Sequence, residues 1–481
     1  MVPSLSSIFD HAPAQPAFER RGFMLDISRN RVPTMDWLKE LIDALALLRY
    51  NELQLYTEHT FAYAEHSAVW EQASPMTAEE IRDIDAYCSA RGIELVPNQN
   101  SFAHLERWLR HDAYKHLAEC PDGFEHPIMG WRTFGGTLAP TEESAAFIDS
   151  LYAELLPNFA SKRLHIGCDE PWELGQGRSK ERVAREGKHP LYLEFLNRLF
   201  ALAKKHDHQA HFWADIILER PDLVPQLPKN VTPVIWGYEA DSPYAEQCRI
   251  VAEAGFKGNF YVAPGAGNWN SFGGRLDVAR ANITRAAKEG SAHGASGLLL
   301  TAWGDNGHHQ PWPTLFPALI MAAQAAWGCP INEAELPEQI DRLFYPEAAQ
   351  GHGAAICALG KIDALLPQPA PPSSFLHTAF FATEEALKHR LQAIGLSSLK
   401  AVENALDQID PAGLDPEIGL SVRLNRCASQ RCLRIKAGRS ISSVESLADE
   451  SLLQAFEALW TVRSREGGLA ESLGLMRDVH S

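Results

Sequence analysis

Apolar residues recur along the first two thirds of the chain in two alternating textures. Short runs such as Gly22-Phe23-Met24-Leu25-Asp26-Ile27 and Glu52-Leu53-Gln54-Leu55-Tyr56 read as strands. Longer stretches carry apolar residues at helical spacing, as in Leu38, Leu41, Ile42, Leu45 and Leu48. The alternation predicts strands at 22–27, 52–56, 93–97, 164–168, 210–213, 232–236, 258–262 and 297–301. Helices are predicted over 35–49, 77–91, 142–155, 190–206, 244–254, 276–289 and 314–327. Thr77 starts the second of these, and Glu80 completes a capping box with it. A long loop rich in aromatics and histidines (His59, Phe61, Tyr63, His66, Trp70) follows the second strand, and a Gly- and aromatic-rich loop spans 120–138. Eight strand–helix units in about 310 residues predict an α/β fold of the (β/α)8 TIM-barrel class. A doubly wound open sheet is the competing reading, and the lack of a Gly-rich phosphate loop after any strand argues against it.

From about Pro330 the texture changes. Pro337, Pro346 and the run from Pro367 to Pro372 punctuate Ala- and Leu-rich amphipathic segments near 382–394, 399–408, 418–436 and 444–464. The chain therefore divides into a lead-in (1–18), a catalytic barrel (19–330) and a C-terminal α-helical domain (331–481) that packs on the barrel or on a second copy as a homodimer. Apolar residues make up 45% of the 481, enough for a large core. A net charge of −17, with basic residues unclustered, argues against nucleic acid or an anionic membrane surface as a partner. The eight cysteines are scattered, with no CxxC pair or metal-ligand spacing, and read as reduced thiols. Residues 1–16 lack the basic start and apolar core of a signal peptide, and no apolar run approaches a membrane span, so a cytoplasmic location is expected.

The chemistry is expected where the fourth strand ends. Leu164-His165-Ile166-Gly167-Cys168 runs into Asp169-Glu170, followed at once by Pro171-Trp172. Strand alternation would put His165, Gly167 and Asp169 on one face. Most Asp-Glu pairs are solvated loop residues, but this one caps an apolar strand beside a tryptophan. Two carboxylates this close cannot both ionise freely, so one becomes a general acid near neutral pH. Ordinary glycosidases set two carboxyls about 5 to 9.5 Å apart on opposite sides of the scissile bond. Neighbours on one strand end approach from nearly one direction, which favours a substrate that brings its own nucleophile.

The other strand ends read as a carbohydrate site. Trp213 precedes Asp215; Trp236-Gly237-Tyr238, Asn268-Trp269-Asn270 and Trp303-Gly304-Asp305-Asn306-Gly307-His308 follow later strands. One tryptophan at a strand end is more often core than site, but four at successive exits are hard to pack as core. Flat aromatics cover the apolar face of a sugar ring, while Asp, Asn and His bind hydroxyls.

These motifs resemble glycoside hydrolase family 20, the β-N-acetylhexosaminidases. His165-Ile166-Gly167-Cys168-Asp169-Glu170 resembles the family's His-x-Gly-Gly-Asp-Glu signature, with Cys168 in place of the second glycine. Arg21 to Asp26, continued by Ser28-Arg29, resembles its first-strand motif; Val96-Pro97 through Ala103-His104 its third; and Trp303-Gly304-Asp305 its final Trp-x-Glu. The resemblance runs from about Arg20 to Trp327, and the short lead-in implies a compact member, or one of a sister family, without the small N-terminal domain common in the family.

The resemblance implies a retaining exo-β-N-acetylhexosaminidase that releases terminal β-linked GlcNAc or GalNAc through an oxazolinium intermediate and needs no metal or cofactor. Glu170 would be the acid, and Asp169 would orient the 2-acetamido group. Trp213, Trp236 and Trp303 would wall the acetamido pocket, and Tyr238 would donate to its oxygen. Asp305 and Arg21 would hold ring hydroxyls, with His104 and His165 near Glu170. The strand-seven exit, Pro264 to Trp269, and the shorter acid Asp305 depart from the family pattern, so the partners of the 4- and 6-hydroxyls stay open. Two other readings remain: a metal-dependent barrel hydrolase using His59, His104, His165 and His308, and a sugar-binding protein without catalysis.

Overall fold

The computed structural model describes residues 8–9, 12–348, 350–367, 372–439 and 450–478. At its centre are eight parallel strands: β1 (Arg20–Asp26), β2 (Glu52–Tyr56), β3 (Glu94–Val96), β4 (Arg163–His165), β5 (Gln209–Trp213), β6 (Thr232–Gly237), β7 (Tyr261–Pro264) and β8 (Gly297–Ala302). Paired neighbours run β3-β2-β1-β8-β7-β6-β5-β4. The ring closes just past β3 and β4, where Asn98 bridges His165. There His165 N–H donates to Pro97 O at 2.9 Å, and Gln99 N–H donates to His165 O at 3.0 Å. The sheet is thus the predicted barrel, and its strand ends share one rim.

Helices α1 (Met35–Leu47), α2 (Ala78–Ser89), α3 (Glu142–Leu155), α4 (Lys188–Lys205), α5 (Tyr244–Val251), α6 (Leu276–His293) and α7 (Phe316–Trp327) cover the barrel. Thr34, Thr77 and Thr141 each accept a backbone N–H in the first turn of α1, α2 and α3, and the box between Thr77 and Glu80 forms as expected. The stripe Leu38, Leu41, Ile42 and Leu45 of α1 is buried against the sheet, at roughly 1.5–3 kcal/mol per large apolar side chain. Between β5 and β6 there are only short turns of helix, Asp215–Leu218 and Pro221–Gln226.

Two strands depart most from the expected bounds, the others by at most two residues at an end. β7 starts at Tyr261 rather than Gly258, because Gly258 lies in a turn at φ 84°. β4 stops at His165, and the residues beyond it leave strand geometry.

The C-terminal region is helical: α8 (Leu336–Phe344), α9 (His352–Ile362), α10 (Phe375–Phe381), α11 (Glu384–Leu391), α12 (Leu396–Asp407), α13 (Pro416–Lys436), α14 (Glu450–Arg463) and α15 (Leu469–Asp478). α8, α9, α10 and α15 were not expected, and the expected start of α14 at Val444 lies outside the described residues. This region reaches the rim within the same chain. Asn30 Nδ2 donates to Ser472 Oγ at 2.8 Å, and Ser472 Oγ donates to Gly307 O at 2.7 Å. The buried Arg31 guanidinium lies 4.3 Å from the Trp460 ring. The final two helices therefore tie the exit of β1 to the exit of β8.

Candidate active site

Past β4 the chain folds into a tight, strained loop. Gly167, Cys168 and Glu170 have φ of 67°, 76° and 49°. The expected strand alternation therefore does not reach Asp169. Two of these residues carry a Cβ in the left-handed region, at about 1–2 kcal/mol each. Gly167 fits because a Cβ there would stand 1.6 Å from Asn100 Oδ1. That oxygen accepts the Cys168 N–H at 3.3 Å, while Tyr192 donates its hydroxyl to Cys168 O at 2.9 Å. Glu170 N–H donates to Asp215 Oδ2 at 3.3 Å, and Trp172 N–H donates to Glu170 O at 2.7 Å. The loop is pinned on both sides, and the two acids emerge together.

One imidazole faces both acids. His104 Nε2 lies 3.2 Å from Asp169 Oδ2 and 3.6 Å from Glu170 Oε2. Burial opposes charge on His104, but Asp169 outweighs it and pushes its pKa up to about 10. Burial likewise disfavours the Asp169 carboxylate, yet the charge and hydrogen bond of His104 hold it below the ordinary range. Glu170 moves the other way. Burial raises it and nearby Asp169 and Asp305 add to this, only partly offset by His104 and Arg29. Asp215 is pushed up to about 8 by burial and by Asp169 and Glu170. The neighbouring acids are thus split into an anion, Asp169, and a carboxyl that keeps its proton to higher pH, Glu170.

Arg29 sits on the same rim, three residues beyond β1. Its guanidinium is 3.1 Å from Asp26 Oδ2 and 3.0 Å from Glu58 Oε1, with Tyr56 and Trp303 rings 4.7 and 5.4 Å away. Glu58 accepts the Tyr56 hydroxyl at 2.9 Å, and Asn100 Nδ2 donates to Tyr56 Oη at 2.6 Å. Arg29 is thereby linked through Glu58, Tyr56 and Asn100 to the backbone under the acids. Asp26 Oδ2 also accepts the Gly304 N–H at 2.9 Å, fixing the β8 exit beside Arg29. Half-buried Asp305 lies there, and burial raises its pKa while Arg29 opposes the rise.

Arg21 is elsewhere, which corrects its expected role. It occupies the N-terminal end of β1, where its guanidinium donates to the carbonyls of Phe18 (3.1 Å), Glu19 (2.9 Å) and Arg49 (2.9 Å). The opposite end of a barrel strand cannot reach the rim. His165 also departs from expectation. Its Nδ1 accepts the Gly167 N–H at 3.1 Å and its ring lies 4.4 Å from Trp213. Burial depresses its pKa to about 3, so it is neutral, and its Nε2 is buried without a hydrogen-bond partner.

The aromatic residues converge as a box. Tyr238 stacks on Trp236 (centroids 5.0 Å, 23°) and meets Trp303 at 6.4 Å; Trp213 lies 6.0 Å from Trp303. Trp269, 1% exposed, backs Tyr238 edge-on at 5.1 Å. The Trp236 and Trp303 indoles face Asp215 and Tyr238, while the indole N–H groups of Trp213 and Trp269 and Asp169 Oδ1 are buried without a hydrogen-bond partner. Such groups cost about 1–3 kcal/mol each and are characteristic of sites built to meet a ligand.

Of the four histidines considered for a metal, only His104 belongs to a cluster of ligand-type atoms within 4.8 Å among the described residues, together with Asp169 and Glu170. Its ion pair with Asp169 accounts for that cluster.

Arg29, Glu58, Tyr56 and Asn100 were not expected as site residues, and Asp215 was read only as a rim residue without a role. The rim rule pointed to Arg29 over Arg21, since Arg29 lies past the C-terminal end of its strand. The others lie at strand exits but carry no signal until the strands are placed side by side.

Residues 18–257 match the model of the glycosyl hydrolase family 20 catalytic domain. Human (Homo sapiens) hexosaminidase D is 27% identical over 234 residues, covering 47% of this chain and 46% of that protein. The chain thus spans about half the length of the curated relatives it matches. A chitobiase structure from Flavobacterium johnsoniae superposes with a TM-score of 0.53 at 18% identity, covering 93% of this chain and 78% of that one. An exo-β-N-acetylglucosaminidase from Vibrio harveyi, solved in complex with N-acetylglucosamine, gives 0.54 at 18% identity over 72% of this chain and 58% of that one. These structures share the fold. The matched catalytic domain carries the acid pair, the facing histidine and two of the box tryptophans, Trp213 and Trp236, and through it the chain belongs to glycoside hydrolase family 20.

Proposed function

We propose that this protein is a retaining exo-β-N-acetylhexosaminidase acting on terminal β-linked GlcNAc or GalNAc by substrate-assisted catalysis. The observation that carries the reading is the adjacent pair Asp169 and Glu170, sharing His104 at 3.2 and 3.6 Å beside a box of Trp213, Trp236, Tyr238 and Trp303. The box matches the methyl and flat amide of an acetamido group, and Asp169, held ionised by His104, accepts the amide N–H. This turns the acetamido oxygen toward the anomeric carbon. As that oxygen forms a bond to the anomeric carbon, the glycosidic C–O bond breaks and Glu170 gives its proton to the departing oxygen. Water then attacks the anomeric carbon of the oxazolinium and gives a proton to the Glu170 carboxylate as the bond from that carbon to the acetamido oxygen breaks, restoring the acetamide and releasing the sugar with retained configuration. That route is the substrate-assisted exception to the usual two-carboxylate scheme. Arg29, fixed by Asp26 and Glu58, holds ring hydroxyls together with Asp305. We place the protein in the cytoplasm, because all eight cysteines are free and buried; among the described residues no helix is long and apolar enough to cross a membrane.

The test is hydrolysis of four aryl β-glycosides, of GlcNAc, GalNAc, glucose and galactose, by wild type and Asp169→Asn. Turnover confined to the 2-acetamido pair, falling at least about 100-fold in Asp169→Asn, is expected. Comparable turnover of the plain sugars, or equal rates for the two proteins, would remove the acetamide from the mechanism.

A further inference from the structure

The hairpin Phe124–His126 paired with Gly130–Arg132, which the sequence reading did not foresee, stands beside Glu170 and belongs to the site already described. A larger cavity, of about 630 Å³, lies outside that site, where the exits of β1 and β2 meet the turn between α14 and α15. That volume is within the roughly 300–1,000 Å³ of ordinary small-molecule sites.

The turn is shaped to lie against the rim. A Cβ at Gly467 would stand 2.3 Å from the Ala73 backbone, and one at Gly468 would stand 2.3 Å from the Asn30 carbonyl oxygen. Gly467 N–H donates to Ser74 Oγ at 3.0 Å. The Arg107 guanidinium donates to Glu471 at 2.7 Å and to Asn30 Oδ1 at 3.3 Å. The walls are thus joined across the barrel and the C-terminal helices, and the cavity is preorganised.

Its floor is polar and buried. Ser28, His59 and Thr60 are 2%, 4% and 2% exposed, and His59 Nδ1 has no hydrogen-bond partner. A buried ring nitrogen left in that state is a group for a ligand to satisfy. Burial depresses the His59 pKa to about 3, and the charges that add to this are all cations: Arg107, Arg110 and Arg29. Burial and Arg107 also lower the pKa of Arg110, which Glu471 only partly opposes. The inner end of the cavity therefore carries positive charge that its own acids do not match. The exposed lining residues Glu71, Glu457 and Glu466 place carboxylates at the mouth. Among the described residues that line the cavity there is no Trp, Tyr or Phe, so recognition falls to polar groups rather than to ring stacking.

We propose that this cavity binds a small polyhydroxylated anion, a sugar phosphate or a sugar acid, as an effector of the catalytic rim. The anionic group meets His59, Arg107 and Arg110, and the hydroxyls donate to the carboxylates at the mouth. A bare anion would leave those carboxylates unpartnered, and a neutral sugar would leave the cations unmatched. Ser28 and His59 are the chain neighbours of Arg29 and Glu58, which pair at 3.0 Å. Ser28 Oγ accepts the Glu58 N–H at 2.8 Å and lies 2.9 Å from Thr60 Oγ1. A ligand on this floor fixes the Arg29–Glu58 pair from behind and so favours sugar binding. The effector role rests on the reading of Arg29 as a sugar-holding group; the binding itself does not.

The experiment is calorimetric titration of the full chain with glucose 6-phosphate, glucuronate and glucose, with and without N-acetylglucosamine. Binding of an anionic sugar in both conditions, and none of glucose at millimolar concentration, is expected; the tighter of the two anions names the group that the floor takes. Arg110→Ala, at an exposed position, should weaken the binding several-fold, up to about tenfold. Lys115→Ala, outside the cavity, should bind as wild type does. In hydrolysis of an aryl 2-acetamido glycoside, the bound anion should lower KM by about fivefold or more. Glucose binding as tightly as the anions would overturn the anionic ligand. Binding of none of the three, binding lost when N-acetylglucosamine is added, or equal binding by wild type and Arg110→Ala would overturn the site. A KM that ignores the bound anion would overturn the effector role alone. Anion binding by a protein that hydrolyses no 2-acetamido glycoside would overturn the hexosaminidase reading and uphold the site.

Discussion

Replacing His104 by Asn tests the electrostatic arrangement at its centre. His104 is charged below about pH 10 and lies 3.2 Å from Asp169 and 3.6 Å from Glu170. A unit charge at 3.6 Å is worth about 1 kcal/mol under water-like screening and about 5 kcal/mol at an effective dielectric of about 20. The Glu170 side chain is 34% exposed, which puts its coupling near the low end, about 1–2 kcal/mol, or roughly one pH unit. Asp169 is only 13% exposed and also loses a hydrogen bond, so its pKa should rise by about one to three pH units. Both carboxyls lose a cation, and both shifts are upward. In the profile of kcat/KM against pH, the acid limb reports Asp169 losing its proton and the alkaline limb reports Glu170 losing the proton it must donate. His104→Asn should therefore move both limbs to higher pH, the acid limb further, and narrow the bell. The assay is the pH dependence of kcat/KM on an aryl 2-acetamido glycoside, with circular dichroism to check that the variant is folded. Limbs that stay in place, or an alkaline limb that moves down, would refute the assignment of His104 as the cation controlling both acids.

Gly167→Ala should destabilise the protein by at least about 3 kcal/mol, from about 1–2 for the left-handed backbone and about 1–3 for each partner lost when Asn100 is displaced; a shift below about 1 kcal/mol in urea unfolding would show that the loop yields easily. Arg29→Lys should cost about 100-fold in kcat/KM, because an ammonium cannot reproduce the guanidinium fork between Asp26 and Glu58, while Arg21→Lys should stay within about twofold. Equal losses for the two arginine variants would contradict their placement at opposite ends of β1. Glu170→Gln should slow alkyl glycosides by about 100- to 10,000-fold and activated aryl glycosides much less, since only poor leaving groups need the proton; equal slowing across a leaving-group series would deny Glu170 the role of acid.

What local pattern controls was readable directly. Capping at Thr77 needs only a hydroxyl and a glutamate three residues on, and α1 needs only its apolar stripe. The eight-fold alternation sufficed for the barrel, and the acids could be found because a strand that ends in charge must end at a surface. What the sequence left undecided were questions about neighbours. Arg21 and Arg29 lie eight residues apart in one motif, and only the strand between them, with its direction in the barrel, decides which reaches the rim. His165 reads as a site histidine until Trp213 is laid on it. Glu58, Tyr56 and Asn100 come from two strand exits and act as one network only because β2 and β3 are adjacent. The hairpin over Glu170 was hidden for the same reason: its position is set by Gln176 and Glu173, about 50 and 40 residues further along the chain. The sequence by itself determined the strands and helices of the barrel and located the adjacent acids, because these depend on spacing along the chain. The charge states of those acids, the arginine beside them and the hairpin placed next to Glu170 were decided by the tertiary structure, because electrostatic and hydrogen-bond energies depend on distances in space.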